Sequence, residues 1–275
     1  MSVDVEPVAA QEADERDAEP FRGLDCQYGP DGGVFVTDWT DTGECHNYDK
    51  VDRTNGRIYK VTYGDPKPVK VDLGAKSDSE LVSLLDSRGS KNAWFARHAQ
   101  RLLQERAIAG KLDPAVRAGL LHPVREEADP LGDLRRLWTY HVTGTLEESV
   151  VLAGLAKPWE HYRAWTVTLE LEDGRASEKV LAKLEELAKS DPSPVVRLAL
   201  ASGLQRLPLA DRVAIAEALL GHEEDKDDAQ LPLMIWYGIE PLVSSDRDRA
   251  VSLIGKTKIP QVRQYITRRL ASLAK

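Results

Sequence analysis

The sequence predicts a mainly α-helical chain, a helical-repeat solenoid preceded by one short β-hairpin. Three observations lead there. From Ser77 onward apolar residues recur at three- and four-residue spacing, Pro194, Pro232 and Pro260 are each followed ten residues later by a leucine (Leu204, Leu242, Leu270), and period-2 alternation is confined to 29–63. The expected organisation is an acidic, disordered lead over 1–20, a hairpin over 21–66 and a helical-repeat domain over 77–275.

The lead, Val3 to Glu19, is rich in Glu, Asp and Ala and has little apolar surface to bury. It lacks the basic start and apolar stretch of a signal peptide. In the hairpin, Val34 and Val36 alternate with Phe35 and Thr37, and Ile58, Lys60 and Thr62 alternate with Tyr59, Val61 and Tyr63. Asp31-Gly32-Gly33 and Asn55-Gly56 supply residues that tolerate positive φ before each strand. Two strands alone are marginal in water, so the hairpin needs a partner. Cys26 and Cys45 flank the first strand, and two thiols are expected ahead of a bridge. Thr42 stands where a covalent haem motif ending in Cys45-His46 would need a cysteine.

The helical part opens with Ser79–Leu85 and Ala93–Leu103 as amphipathic stretches. Asp113-Pro114, Asp129-Pro130, Lys157-Pro158, Asp191-Pro192 and Leu231-Pro232 then punctuate it, as proline does near helix starts. The segments PVVRLALASGL, PLMIWYGIEPL and PQVRQYITRRL align without gaps, and an arginine followed two residues later by an apolar residue recurs at Arg97/Ala99, Arg135/Leu137 and Arg163/Trp165. The irregular spacing of about 27 to 39 residues suits degenerate HEAT-like helix pairs, about five or six of them. Trp138, Trp165 and Trp236 are expected as core-packing residues rather than cofactor-stacking ones. The charged insertion Gly221–Asp228 is expected as a solvated loop, since its carboxylates lack the order of a calcium hand. Arg97, Arg163, Arg197 and Arg263 are expected to form a structural ladder with acceptors such as Asp191 and Asp246; the alternative is a concave face for an acidic partner.

Composition and motifs restrict function. A net charge of −8 with only three Phe disfavours bulk nucleic-acid binding, and no run of eighteen apolar residues predicts a transmembrane segment. The six histidines show no metal-ligand spacing on one helix face, and nucleophile-elbow, phosphate-loop and dinucleotide motifs are lacking. One chemical candidate remains, the loop after Trp39. Asp38, Asp41, Glu44, His46 and Asp49 place four carboxylates and an imidazole together, enough to ligate a metal or contact a sugar. The alternative is a polar connection whose Asp side chains cap turns.

GPDGGVFVTDW, the His-containing loop and DRTNGRIYKV together resemble the closing propeller blade of large membrane-bound dehydrogenase-like proteins of planctomycete and verrucomicrobial bacteria. Their propeller is similar to that of glucose/sorbosone dehydrogenases. With the helical part included, the resemblance runs from Phe21 to the C-terminus. It implies a last blade followed by HEAT-like repeats, with a protein partner that supplies the missing propeller. A quinone-type cofactor or calcium would belong to that parent propeller, and none is expected in this chain. The expected function is a non-catalytic helical-repeat interaction or assembly module, the C-terminal portion of a propeller-type dehydrogenase. The alternatives are part of an active sugar or alcohol dehydrogenase completed by another chain, and an independent HEAT-repeat adaptor. The resembled family is exported, so a periplasmic or cell-surface address is expected if the chain is truncated from such a protein, and cytoplasm otherwise.

Overall fold

The computed structural model describes residues 21, 23–39, 56–64, 67, 69–88, 91–116 and 128–273. It is mainly helical, with one small three-stranded antiparallel sheet. The chain divides into two compact units, one of residues 1–72 with 92–95 and the other of 73–91 with 96–275.

In the first unit β1 (Gly23–Tyr28), β2 (Val34–Asp38) and β3 (Ile58–Val61) pair in the order β1-β2-β3. The expected hairpin is the β2–β3 pair, with Val36 opposite Tyr59 and Phe35 opposite Lys60. β1 is the partner the hairpin needed, and it was not expected as a strand. It joins β2 through a tight turn in which the Gly29 and Gly32 amides donate to Gly33 O and Gly29 O at 2.8 and 3.1 Å, and Gly32 takes φ +83°. The Asn92 side chain donates to the turn carbonyls of Gly29 and Pro30 at 2.9 and 3.1 Å. Lys60 lies over the Phe35 ring at 5.2 Å and pairs with Asp31 at 2.5 Å. Cys26 lies within β1, exposed, as a free thiol, and Cys45 lies outside the described residues.

The second unit contains α1 (Asp78–Ser83), most of α2 (Ala93–Ile108), then α3 (Pro130–Val142), α4 (Glu148–Leu155), α5 (Glu160–Glu170), α6 (Glu178–Ser190), α7 (Pro194–Gly203), α8 (Leu209–Leu219), a 3-10 turn (Glu223–Asp227), α9 (Leu231–Ser245), α10 (Arg247–Lys256) and α11 (Pro260–Leu273). The proline positions have the physical meaning expected of them: Pro130 and Pro194 occupy a first helical position, where no intrahelical N–H is needed. Helices pack two places apart. α3, α5, α7, α9 and α11 contact one another in series, and α4, α6 and α8 form a second series. One continuous hydrophobic cluster runs from Val151 through Leu204 and Ile235 to Ile266. The recurring leucines Leu204 and Leu242 are buried and Leu270 packs against the same cluster.

Two expectations need correction. Trp165 is not a core residue: it is 41% exposed and meets Trp138 edge-on, ring centroids 5.3 Å apart. The insertion Gly221–Asp228 is more than a solvated loop, because its 3-10 turn carries Asp225 into the interior at 3% exposure.

Candidate functional site

Buried arginines fix the turns that precede α5 and α7. The fourth helical residue of α5, Arg163, donates from Nε and Nη2 to the two oxygens of Asp191 at 2.7 and 2.8 Å, and from Nη1 to the carbonyls of Lys157 and Pro158. At the same place in α7, Arg197 donates to both oxygens of Asp225 at 2.7 and 2.5 Å, and from Nη1 to the carbonyl of Asp191. Asp191 therefore joins the rungs, accepting Arg163 on its carboxylate and Arg197 on its carbonyl. Two parallel charge-assisted bonds fix a fork in one orientation, so each rung also fixes the turn before its helix. The Asp225 carboxylate, with Glu224 and Asp191 nearby, raises the affinity of Arg197 for its proton above the ordinary value. In α11, Arg263 retains only the backbone rung among the bonds seen, to the Thr257 carbonyl at 2.6 Å. In α9 the corresponding residue is Ile235, fully buried.

The ladder expected from sequence is thus present at Arg163 and Arg197. Arg97 is exposed, and Asp246 caps α10 by accepting the Arg249 amide at 3.0 Å. Sequence reading missed Asp225. Its signal was available: Arg163–Asp191 and Arg197–Asp225 span the same 28 residues.

Above the first rung, the starts of α3, α5 and α7 border an open groove of about 780 Å³. Its walls are Pro130, Leu131 and Leu134 on one side, Pro192 and Pro194 on the other, and Trp159 and Tyr162 between them. The Trp159 and Tyr162 rings lie 6.4 Å apart at 60°, and the Lys157 ammonium stands 5.6 and 5.9 Å from their centroids. The Glu160 carboxylate accepts the Ser193 hydroxyl through Oε2. Its other oxygen lies 3.9 Å from His161. The groove is therefore apolar and aromatic, with its ionised groups engaged: Arg163 with Asp191 below, Glu160 with Ser193 at the rim. Such a surface can take up an apolar or aromatic group.

Of the residues expected in the loop after Trp39, Asp38 ends β2 with a fully buried side chain and pairs with Arg57 at 3.2 Å. Asp41, Glu44, His46 and Asp49 lie outside the described residues. Among the described residues no group of three His, Cys, Asp or Glu side chains could hold a metal ion, and no helix is long and apolar enough to cross a membrane. No protein-family model, no curated protein and no solved structure matches the chain.

Proposed function

We propose that the chain is a non-catalytic docking and assembly module, in which HEAT-like helix pairs stack as a solenoid and present the Trp159 groove to a protein partner. The observation that carries this reading is the groove itself, an open apolar surface at the starts of α3, α5 and α7 that the Arg163–Asp191 rung holds in shape. Packing of helices two places apart and the recurrence of the rung one helix pair further on support the repeat reading. A stack of this kind leaves helix ends exposed as an extended surface.

The sheet fits the same proposal as a blade-like element. A propeller blade has four strands, and β1, β2 and β3 would be three of them. In the setting the family resemblance implies, the docked partner is a propeller dehydrogenase and the chemistry belongs to that partner.

The test is affinity capture from native cells with the full chain and with Trp159→Leu as baits, followed by a dye-linked dehydrogenase assay on the captured fraction. A defined protein retained by the first bait and lost by the second supports docking at the groove; dehydrogenase activity in that fraction supports the propeller setting. Identical capture by both baits would overturn the groove as the docking face.

A further inference from the structure

The groove holds a cation of its own. Lys157 reaches over both Trp159 and Tyr162 at distances typical of cation–π contact. No ion pair to Lys157 occurs among the described residues, so the aromatic faces alone are seen to hold its charge. The backbone carbonyl of the same residue is pinned by Arg163, which anchors the lysine stem while its flexible end remains replaceable. Beside the rings, Glu160 lines the groove with a side chain 46% exposed, its Oε2 bonded to Ser193 and its Oε1 3.9 Å from His161 Nε2. Arg163 adds little positive charge here, being neutralised by Asp191. Two aromatic faces beside a half-exposed carboxylate are complementary to an ammonium group, and an aromatic-lined groove is the type of surface on which extended segments lie.

We propose that the occupant of the groove is an extended, lysine-bearing segment of a protein partner, whose ammonium displaces that of Lys157 from between Trp159 and Tyr162 and pairs with Glu160. Lys157 is then a placeholder: it satisfies the rings in the free protein and swings into solvent when the partner lysine enters. This inference rests on the docking reading and names the chemistry of the docked segment.

The experiment titrates the full chain into fluorescently labelled peptides of alternating proline with lysine, with glutamine or with glutamate, and follows anisotropy. The lysine peptide is expected to bind most tightly. Glu160→Gln, which keeps an acceptor for Ser193, should weaken it about three- to tenfold, and Trp159→Leu about tenfold or more. Lys157→Met, which removes the resident competitor, should tighten it about three- to tenfold. Because the chain carries net charge −8, a basic peptide could also adhere anywhere on it. Lysine-peptide binding that none of the three substitutions alters would therefore overturn the proposal. Equal, Trp159-dependent binding of the glutamine peptide would overturn the cation while leaving the groove as a docking face. Loss of Trp159 dependence for every peptide would remove the docking face as well.

Discussion

Arg197 and Asp225 form the most buried ion pair in the ladder, each side chain 4% exposed. Removing Asp225 leaves the buried guanidinium only the Asp191 carbonyl and the more distant Glu224 carboxylate, 3.8 Å away. Asp225→Ala should therefore cost about 3–5 kcal/mol in urea unfolding, whereas Arg197→Met combined with Asp225→Leu should recover most of that loss. Glu170 presents the opposite case. Burial first, then the charges of Asp173 and Glu148, push its carboxyl from 4.5 up to about 7. A folded-state value above the unfolded one means that the native chain holds this proton more tightly. Stability from this group accordingly rises as pH falls from above 7 toward 4.5 and is lost as pH rises through 7. Glu170→Gln should raise the thermal midpoint near pH 8 by about 2–4 °C, about 1 kcal/mol once solvent screening of a half-exposed group is allowed for. The gain should vanish below pH 4.5, and a constant gain at every pH would mean that charge is not its origin. Residues such as Leu204 and Arg163 could be read from sequence because each repeats at a fixed place in its helix. Asp225 was legible only through the 28-residue spacing it shares with Asp191, because Glu223-Glu-Asp-Lys-Asp-Asp228 offers five carboxylates and no local pattern singles one out before the 3-10 turn forms.

At the scale of the element, close approach between helices rests on absent side chains. A Cβ added at Gly238 in α9 would meet Cβ of Leu204, the residue that caps α7, at 2.6 Å. One added at Gly255 in α10 would meet nothing within 4 Å. Gly238→Ala should destabilise by about 1–3 kcal/mol despite the better helix propensity of alanine. Gly255→Ala should stabilise by about 0.5–1 kcal/mol. Urea midpoints moving in opposite directions would establish that contact, rather than propensity, decides at Gly238. Among the strands, exposure does not separate the legible from the missed, since β1 and β3 are both exposed almost throughout. β1 does alternate, Leu24, Cys26 and Tyr28 against Asp25 and Gln27, but it carries no β-branched residue and is rich in the Gly, Asp and Gln that strands disfavour, which is why the hairpin was legible and its third strand was not. Trp165 was misread for a related reason. Its spacing in α5 is helical, but periodicity does not separate a core tryptophan from one stacked edge-on at the surface.

At the scale of the whole molecule, the core cluster from Val151 to Ile266 is long, and each helix draws its burial from neighbours two places away. In a stack of repeats, stability is a sum of local interfaces rather than a property of one centre. Leu253 in α10 is fully buried near one end of that cluster, and Val167 in α5 is fully buried well before it. Leu253→Ala should cost about 2–5 kcal/mol of local stability. Native-state amide exchange should then accelerate in α10 and α11 and in the part of α9 that packs on them, while α4, α5 and α6 keep their protection. Val167→Ala should produce the reverse map. If either substitution lowered protection equally in every helix, the second unit would open as one cooperative body, and the solenoid reading on which the docking proposal rests would have to be abandoned.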